Sequence, residues 1–461
     1  MKKQSLNKKR IVHILLGTVG VMLAAVCVGY LASLMMVSSS EEDVSYSREE
    51  MEELASSVTT LKITFVSFEK VWDMAMEELI ADFEEDNPDI VIEYEIYNET
   101  GLYEDVVNKL YARGELGDIV ELTDPLTYVQ TGLLTTIPED VKELSSTPFM
   151  FDGEVYGVGS VAYTTGILYN KAIFEKYGLE VPETYADFIN ICETLSQNGV
   201  TPLVVGGASR WHLAYFINYF YSTMVRSTNR AWMEGLSPER DTSRWDDAEI
   251  ISMLTTMQEL FSSGYVDGTW YNTTDTMATE YMAAGEAAML FSSSMTMSDI
   301  KTRNSDTEVG WFFLPDDEGN DVVDYLWHGC FCMTQDCAAS EAKMEAAERF
   351  LEYFYSSGVY EDFYNRVGGM PLVTRRTEVP NTIVYDEVYA GKSWVMARNQ
   401  DLTNATLPQD FRSYLFQEIR RSLMENLSAE ETAQRIQNKW ESIREEHVYE
   451  EHIFEDENLG N

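Results

Sequence analysis

Apolar residues recur along this chain with three different rhythms, and each rhythm marks a different kind of segment. From Ile11 to Val37 they run almost unbroken, between Lys2, Lys3, Lys8, Lys9 and Arg10 on one side and Glu41, Glu42 and Asp43 on the other. A helix rising about 1.5 Å per residue needs roughly 20 apolar residues to cross a bilayer core, so this run predicts a membrane segment. Basic residues stay on the cytoplasmic side, which places everything after about Ser40 outside the cell. In Leu61 to Phe65 apolar positions alternate as in a strand, whereas Trp72, Met76, Leu79, Ile80 and Phe83 recur at helical spacing. Asn87 and Pro88 mark a turn. Ile90, Ile92, Tyr94 and Ile96 share one face of a second strand, Val106, Val107 and Leu110 stripe the next helix, and Asp118 to Leu122 is a third strand. This β-α-β-α-β order predicts a mostly parallel sheet with helices on both faces.

Further along, Thr184 can cap a helix with Asp187 three residues on, Phe188, Ile189, Cys192 and Leu195 form its buried stripe, and Gly199 ends it. Pro202 to Val205 reads as a short apolar strand before a long helical region from Trp211 through Phe220. The last third is mainly helical, most clearly over 346–355, 414–424 and 429–443, and frays in acidic residues from Glu445. Residues 38–57 are polar and charged and read as a tether.

Charge narrows the partners. With 78 acidic against 33 basic residues, a net charge of -45 excludes nucleic acid, whose phosphates need lysine and arginine, and repels anionic ligands. At 45% hydrophobic residues the chain still folds. About 400 residues beyond the membrane run exceed the usual size of one core, so two lobes are expected. Cys330, Cys332 and Cys337 stand in an apolar strand and its loop without a matching histidine cluster, which predicts buried thiols, with room for one bridge, rather than a metal site. Cys27 follows Leu23-Ala24-Ala25-Val26, a faint echo of a lipoprotein signal. Such sites want a small residue immediately before the cysteine, and the apolar run continues ten residues past it. A retained anchor is expected, with a cleaved and lipidated form as the alternative.

Phe83-Glu84-Glu85-Asp86-Asn87-Pro88, Gly114 to Val120, Gly166 to Lys171, Tyr177-Gly178-Leu179 to Pro182-Glu183-Thr184, Gly285 to Met289, the stretch from Ala346 to Tyr353, and Gly368-Gly369-Met370-Pro371 follow one another at consistent spacing. This ordered series resembles the extracellular solute-binding proteins of ABC importers, particularly the carbohydrate-binding relatives of maltose-binding protein, over nearly all of Leu61 to Trp440. The resemblance implies an α/β, two-lobed periplasmic-binding-protein-like fold with discontinuous lobes joined by a hinge, here behind an N-terminal membrane segment. Residues 1–40 would be anchor or signal and 41–60 tether. Lobe 1 would hold 61–162 and 327–370, and lobe 2 would hold 163–326 and 371–461. The chain would cross near Ala162 to Thr164, Tyr325 to Trp327, and Met370 to Val373.

Sugars present hydroxyls at the ring edge and C–H surface on the faces, so a site pairs hydrogen-bonding side chains with aromatic platforms. Phe68, Glu69 and Lys70 lie where a strand gives way to a helix, and the resemblance aligns them with sugar contacts; a solvated turn is the other reading. Asp124 follows the third strand and could accept hydroxyls or cap the next helix. Tyr163 and Trp327 stand at crossings, and Trp211 follows the glycine-containing turn Gly206 to Arg210 as the expected stacking residue of the second lobe, or as a core tryptophan. The segment Ser292 to Met297 aligns with a loop that carries a stacking tryptophan in many relatives; here Met295 is a softer contact. Tyr414 is placed at the start of a late helix, and His328 reads as structural.

No catalytic triad, phosphate loop or metal spacing is present in the sequence, so neither an enzyme nor a cofactor is expected. The expected function is capture of a sugar or oligosaccharide by the membrane-anchored, extracellular, monomeric binding component of an ABC importer and its delivery to permease subunits. A ligand sensor for a membrane kinase and a glycan-active enzyme are the alternatives.

Overall fold

Alternating apolar residues put Leu61, Ile63 and Phe65 into the core from strand β1 (Thr59–Val66), and the helical stripe buries Trp72, Met76, Leu79, Ile80 and Phe83 from α1 (Lys70–Asp86), as their spacing predicts. The computed structural model describes residues 58–445 apart from 67–68, 98–102, 124, 210–211, 230, 320–324, 378–381, 383, 390–401 and 403–406. The anchor and almost all of the tether lie outside the described residues, among which no helix is long and apolar enough to cross a membrane. By compactness the described residues divide into a small unit, 58–60 with 84–91, and a large one from 61–83 and 92 onward. In the small unit Thr59 N donates to Asp89 O at 2.8 Å and Ile90 N to Asn87 O at 2.9 Å, closing the turn at Asn87 and Pro88.

The large unit carries two sheets. After α1 come β2 (Ile90–Tyr97), α2 (Tyr103–Arg113), β3 (Ile119–Leu122), α3 (Leu126–Gln130), β4 (Leu134–Thr135), α4 (Glu139–Lys142), β5 (Pro148–Phe151), β6 (Glu154–Gly159) and β7 (Ala162–Asn170). There follow α5 (Lys171–Tyr177), α6 (Tyr185–Gln197), β8 (Leu203–Val204), α7 (His212–Tyr221), α8 (Ala248–Ser262), α9 (Asp275–Ala283), β9 (Met289–Ser293), α10 (Met295–Arg303), β10 (Val309–Phe312) and β11 (Tyr325–Trp327). The chain ends with β12 (Cys330–Thr334), α11 (Gln335–Ala338), α12 (Glu341–Phe354), α13 (Val359–Val367), α14 (Gln409–Glu425) and α15 (Ala429–Glu441).

The first sheet runs β2-β1-β3-β12-β6-β5, with β4 also on β12; the second runs β10-β7-β9-β8, with β11 on β7. Neither is mostly parallel, contrary to the strand-helix order. β1 and β3 are parallel, but β12 comes back from beyond the second sheet and enters antiparallel to β3, Cys332 opposite Val120, and to β6. A tight hairpin joins β5 to β6 through Asp152 (φ 50°) and Gly153 (φ 82°), the left-handed pair such turns require. In the second sheet β7 is antiparallel to β9 and β10, and only β8 and β9 are parallel. Cys192, Cys330, Cys332 and Cys337 are buried free thiols, so no bridge forms among the described residues. Burial pushes the Cys337 thiol up to about 12.

Ala162, the first of β7, lies opposite Trp327 of β11 on one side, and its N–H and C=O exchange bonds of 2.9 and 2.8 Å with Met370 on the other. All three expected crossing segments therefore run side by side at Ala162. The Tyr360 hydroxyl straps them, donating to Ser160 O at 2.8 Å and accepting from Leu372 N at 2.9 Å. The late helices α14 and α15 pack over the second sheet's side of the molecule in an aromatic core where Phe411 and Trp440 approach to 4.8 Å and Trp232 and Trp245 to 5.0 Å.

Helix α6 begins in the expected capping box: Asp187 N donates to Thr184 Oγ1 at 3.2 Å and Thr184 N to Asp187 Oδ2 at 3.1 Å. Thr184→Ala should destabilise the protein by about 1 kcal/mol, read as a lower urea midpoint, while Thr184→Ser should cost a few tenths.

Candidate functional site

Polar groups collect where β1 hands over to α1. Glu69 starts the helix, its carbonyl accepting from Trp72 N at 3.0 Å, and its side chain is drawn inward until the residue is 8% exposed. Glu69 Oε1 accepts from Ser293 Oγ at 3.1 Å, and Ser293 is the last residue of β9 in the second sheet. On its other side Glu69 Oε2 lies 3.7 Å from His328 Nε2, a charge contact longer than a hydrogen bond. His328 Nδ1 stands 3.1 Å from Glu121 Oε1, which also accepts from Ser160 Oγ at 3.0 Å. The imidazole lies flat on Trp72, ring centres 3.9 Å apart at 19°. Gly329 is required beside it, because a Cβ there would stand 2.5 Å from Glu121 Cγ.

Burial pushes the His328 pKa down, but the carboxylates of Glu121 and Glu69 outweigh it and hold the pKa up at about 9. The ring is thus an imidazolium at neutral pH, held between the carboxyl groups of Glu121 and Glu69. Ionised carboxylates only accept hydrogen bonds, so the cluster suits a ligand rich in hydroxyl donors.

One further tie crosses between elements of the two sheets, and a second network lies behind it on the side of β7 and β9. Val71 N donates to Asp299 Oδ1 on α10 at 3.3 Å, while Asp299 Oδ2 takes Arg303 Nε at 2.8 Å. Burial raises the Asp299 pKa against the pull of Arg303. Tyr163 of β7 is hydrogen-bonded to Tyr215 of α7, whose pKa stands well above the usual phenol value through burial and then through Tyr163, Asp275 and Glu69. Behind Tyr215, buried His212 Nδ1 meets Asp275 Oδ1 at 2.8 Å.

Of the expected site residues, the structure brings Glu69 and Tyr163 into this network. Met295 is fully buried at the start of α10, one residue before Thr296, whose hydroxyl lies 3.2 Å from Ser293 Oγ. Lys70 is exposed. Phe68, Asp124 and Trp211 lie outside the described residues; Trp327 pairs with Ala162 by its backbone, and its side chain is likewise outside them. Tyr414 is a correction. It is not at a helix start, because α14 begins at Gln409 to bury Phe411, Leu415 and Phe416, and its hydroxyl turns to α15, 3.5 Å from Arg435 O. A surface cavity of about 270 Å³ lies between α1 and α13, ringed by Glu78, Asp82, Asp362 and Arg366, and no expected site residue lines it.

Sequence reasoning missed Glu121 and Ser293 and left Trp72 and His328 as structure. The signal for Glu121 was there: one carboxylate inside Ile119-Val120-Glu121-Leu122, all four buried. A charge buried in such a strand needs a partner.

The family model for bacterial extracellular solute-binding proteins matches residues 78–390, more than half of the chain. The chain belongs to that family. Among relatives, the multiple sugar-binding protein of Streptococcus mutans is 22% identical over 354 residues, covering 75% of this chain and 80% of that protein. Among solved structures, a chitin oligosaccharide binding protein superposes with a TM-score of 0.72 at 19% identity, over 84% of this chain and 99% of that one. The protein RafE, solved in complex with raffinose, superposes with a TM-score of 0.68 at 18% identity, over 84% and 100%. At such identities these superpositions establish the two-domain α/β fold of solute-binding proteins and nothing finer.

Proposed function

We propose that this protein captures an oligosaccharide between the two sheets and delivers it, unchanged, to the permease of an ABC importer. The observation that carries this reading is the acceptor-rich cluster at the junction of the sheets, Glu69 reaching Ser293, in a chain of this family. The sugar-binding relative and the raffinose complex support the ligand class. On this reading lobe 1 (61–162 and 327–370) and lobe 2 (163–326 and 371–461) open and close about the crossing at Ala162. The run Ile11 to Val37 is retained and holds the monomer at the cell membrane with its lobes outside. Trp211 is the proposed stacking platform, and Phe68 and Asp124 are further proposed ligand contacts. The protein has no catalytic step.

Thermal denaturation of the full chain in detergent, with raffinose, chito-oligosaccharides, maltose and monosaccharides in turn, tests this. A sugar at about 100 times its dissociation constant adds roughly 2.7 kcal/mol and raises the melting temperature accordingly. No shift with any sugar, while another solute class gives one, overturns the ligand assignment.

A further inference from the structure

His328 is the charged group that oligosaccharide capture leaves without a task. It lies between β11 and β12, its N–H donating to Val161 O at 2.9 Å, so the ring is fixed beside the crossing. Trp72 covers its face, Glu121 holds Nδ1, and Gly329 presses backbone against the Glu121 side chain. Its remaining nitrogen, Nε2, has no hydrogen-bond partner among the described residues and is aimed at Glu69 Oε2, 3.7 Å away.

We propose that His328 is a positioning residue for Glu69: clamped by Glu121 and stacked on Trp72, it fixes the carboxylate that meets Ser293 and so controls how the two sheets close. Its effect on ligand rests on the oligosaccharide reading; the clamp does not. Glu121 and Glu69 approach the same ring from β3 and from the start of α1, and without a cation between them two buried carboxylates repel. Asp299 on α10, paired with Arg303, and the bonded pair Tyr163 and Tyr215 also face Glu69. The imidazolium thus joins β3 of one sheet, through Glu69, to β9 of the other.

The pH dependence follows. A pKa held at about 9, above the usual value near 6.5, gives stability that is complete below about pH 6.5 and is lost as the pH rises through about 9. The clamp opens in alkali, not in acid.

The test uses the full chain in detergent with ring-labelled histidine, titrated by NMR from about pH 5.5 to about pH 10.5. With five histidines in the chain, the resonance absent from His328→Gln is assigned directly. It is expected to titrate near 9 and to move down in Glu121→Gln and in Glu69→Gln. Spin labels on cysteines replacing the exposed Met150 of β5 and Met277 of α9 are expected to separate as the pH passes about 9, and to be separated at every pH in His328→Gln. A midpoint near 6.5 in the wild type, or a separation unchanged in His328→Gln, overturns the proposal. Should His328→Gln misfold, the wild-type titration and Glu69→Gln decide alone. For whichever of raffinose or chitotetraose binds, His328→Gln should weaken affinity by about tenfold and flatten its fall in alkali; unchanged affinity and pH profile would reduce the ring to packing. If neither sugar binds, the oligosaccharide reading is what fails, and the resonance and the label separation still judge the clamp.

Discussion

Trp72→Ala is expected to cost about 3–5 kcal/mol of stability, the largest effect of any single change around the site. The indole is fully buried on the stripe of α1, edge-on to Phe363 at 4.8 Å and face-on to His328 at 3.9 Å. Its removal opens a cavity between α1 and α13 and takes away the surface on which the imidazolium rests, a cation-aromatic contact that gains from lying out of water. Trp72→Phe keeps an aromatic face and should lose less than half as much. Urea unfolding of the two variants measures both; a loss below about 1 kcal/mol for the alanine variant would mean that the helix closes over the gap and that Trp72 does not anchor the site.

Trp72 also marks how far the sequence could be read. Its place in the core was legible because a helical stripe depends only on neighbours three and four residues away. The cap at Thr184 was legible for the same local reason. The direction of β12 was not, since nothing in Cys330 to Thr334 records that the chain returns to β3 from the far side. The site was only half legible. Glu69 was expected as a contact from its position after a strand and from the resemblance, but the partners the structure gives it, Ser293 and His328, come from far along the chain, and the pairing of a buried histidine with two carboxylates is a fact of folding alone. The loop at Ser292 to Met297 was read for its missing tryptophan, whereas the contact the structure shows there is the Ser293 hydroxyl on Glu69. Tyr414 was misplaced because the apolar stripe of α14 starts earlier, at Phe411, than the residues chosen to mark it.

Glu69→Ala should behave in the opposite way to Trp72→Ala, with little loss of stability and a large loss of ligand affinity. Without Glu69, His328 still has Glu121 as a single neutralising partner at 3.1 Å, so no buried charge is stranded, and the start of α1 keeps its backbone bonds. A ligand hydroxyl, however, loses a carboxylate acceptor, and bonds to charged groups contribute about 1.5–3 kcal/mol, a weakening of roughly 10- to 150-fold. Ser293→Ala removes the partner that Glu69 uses when the sheets touch without ligand, and should alter affinity far less. Calorimetric titration of the sugar found by thermal screening, on the two single variants and the double variant, separates the contributions. If the carboxylate leaves Ser293 for the ligand on binding, the double variant should bind no worse than Glu69→Ala. Affinity within about twofold of wild type in Glu69→Ala would remove Glu69 from the ligand site and leave it as a strut between the sheets.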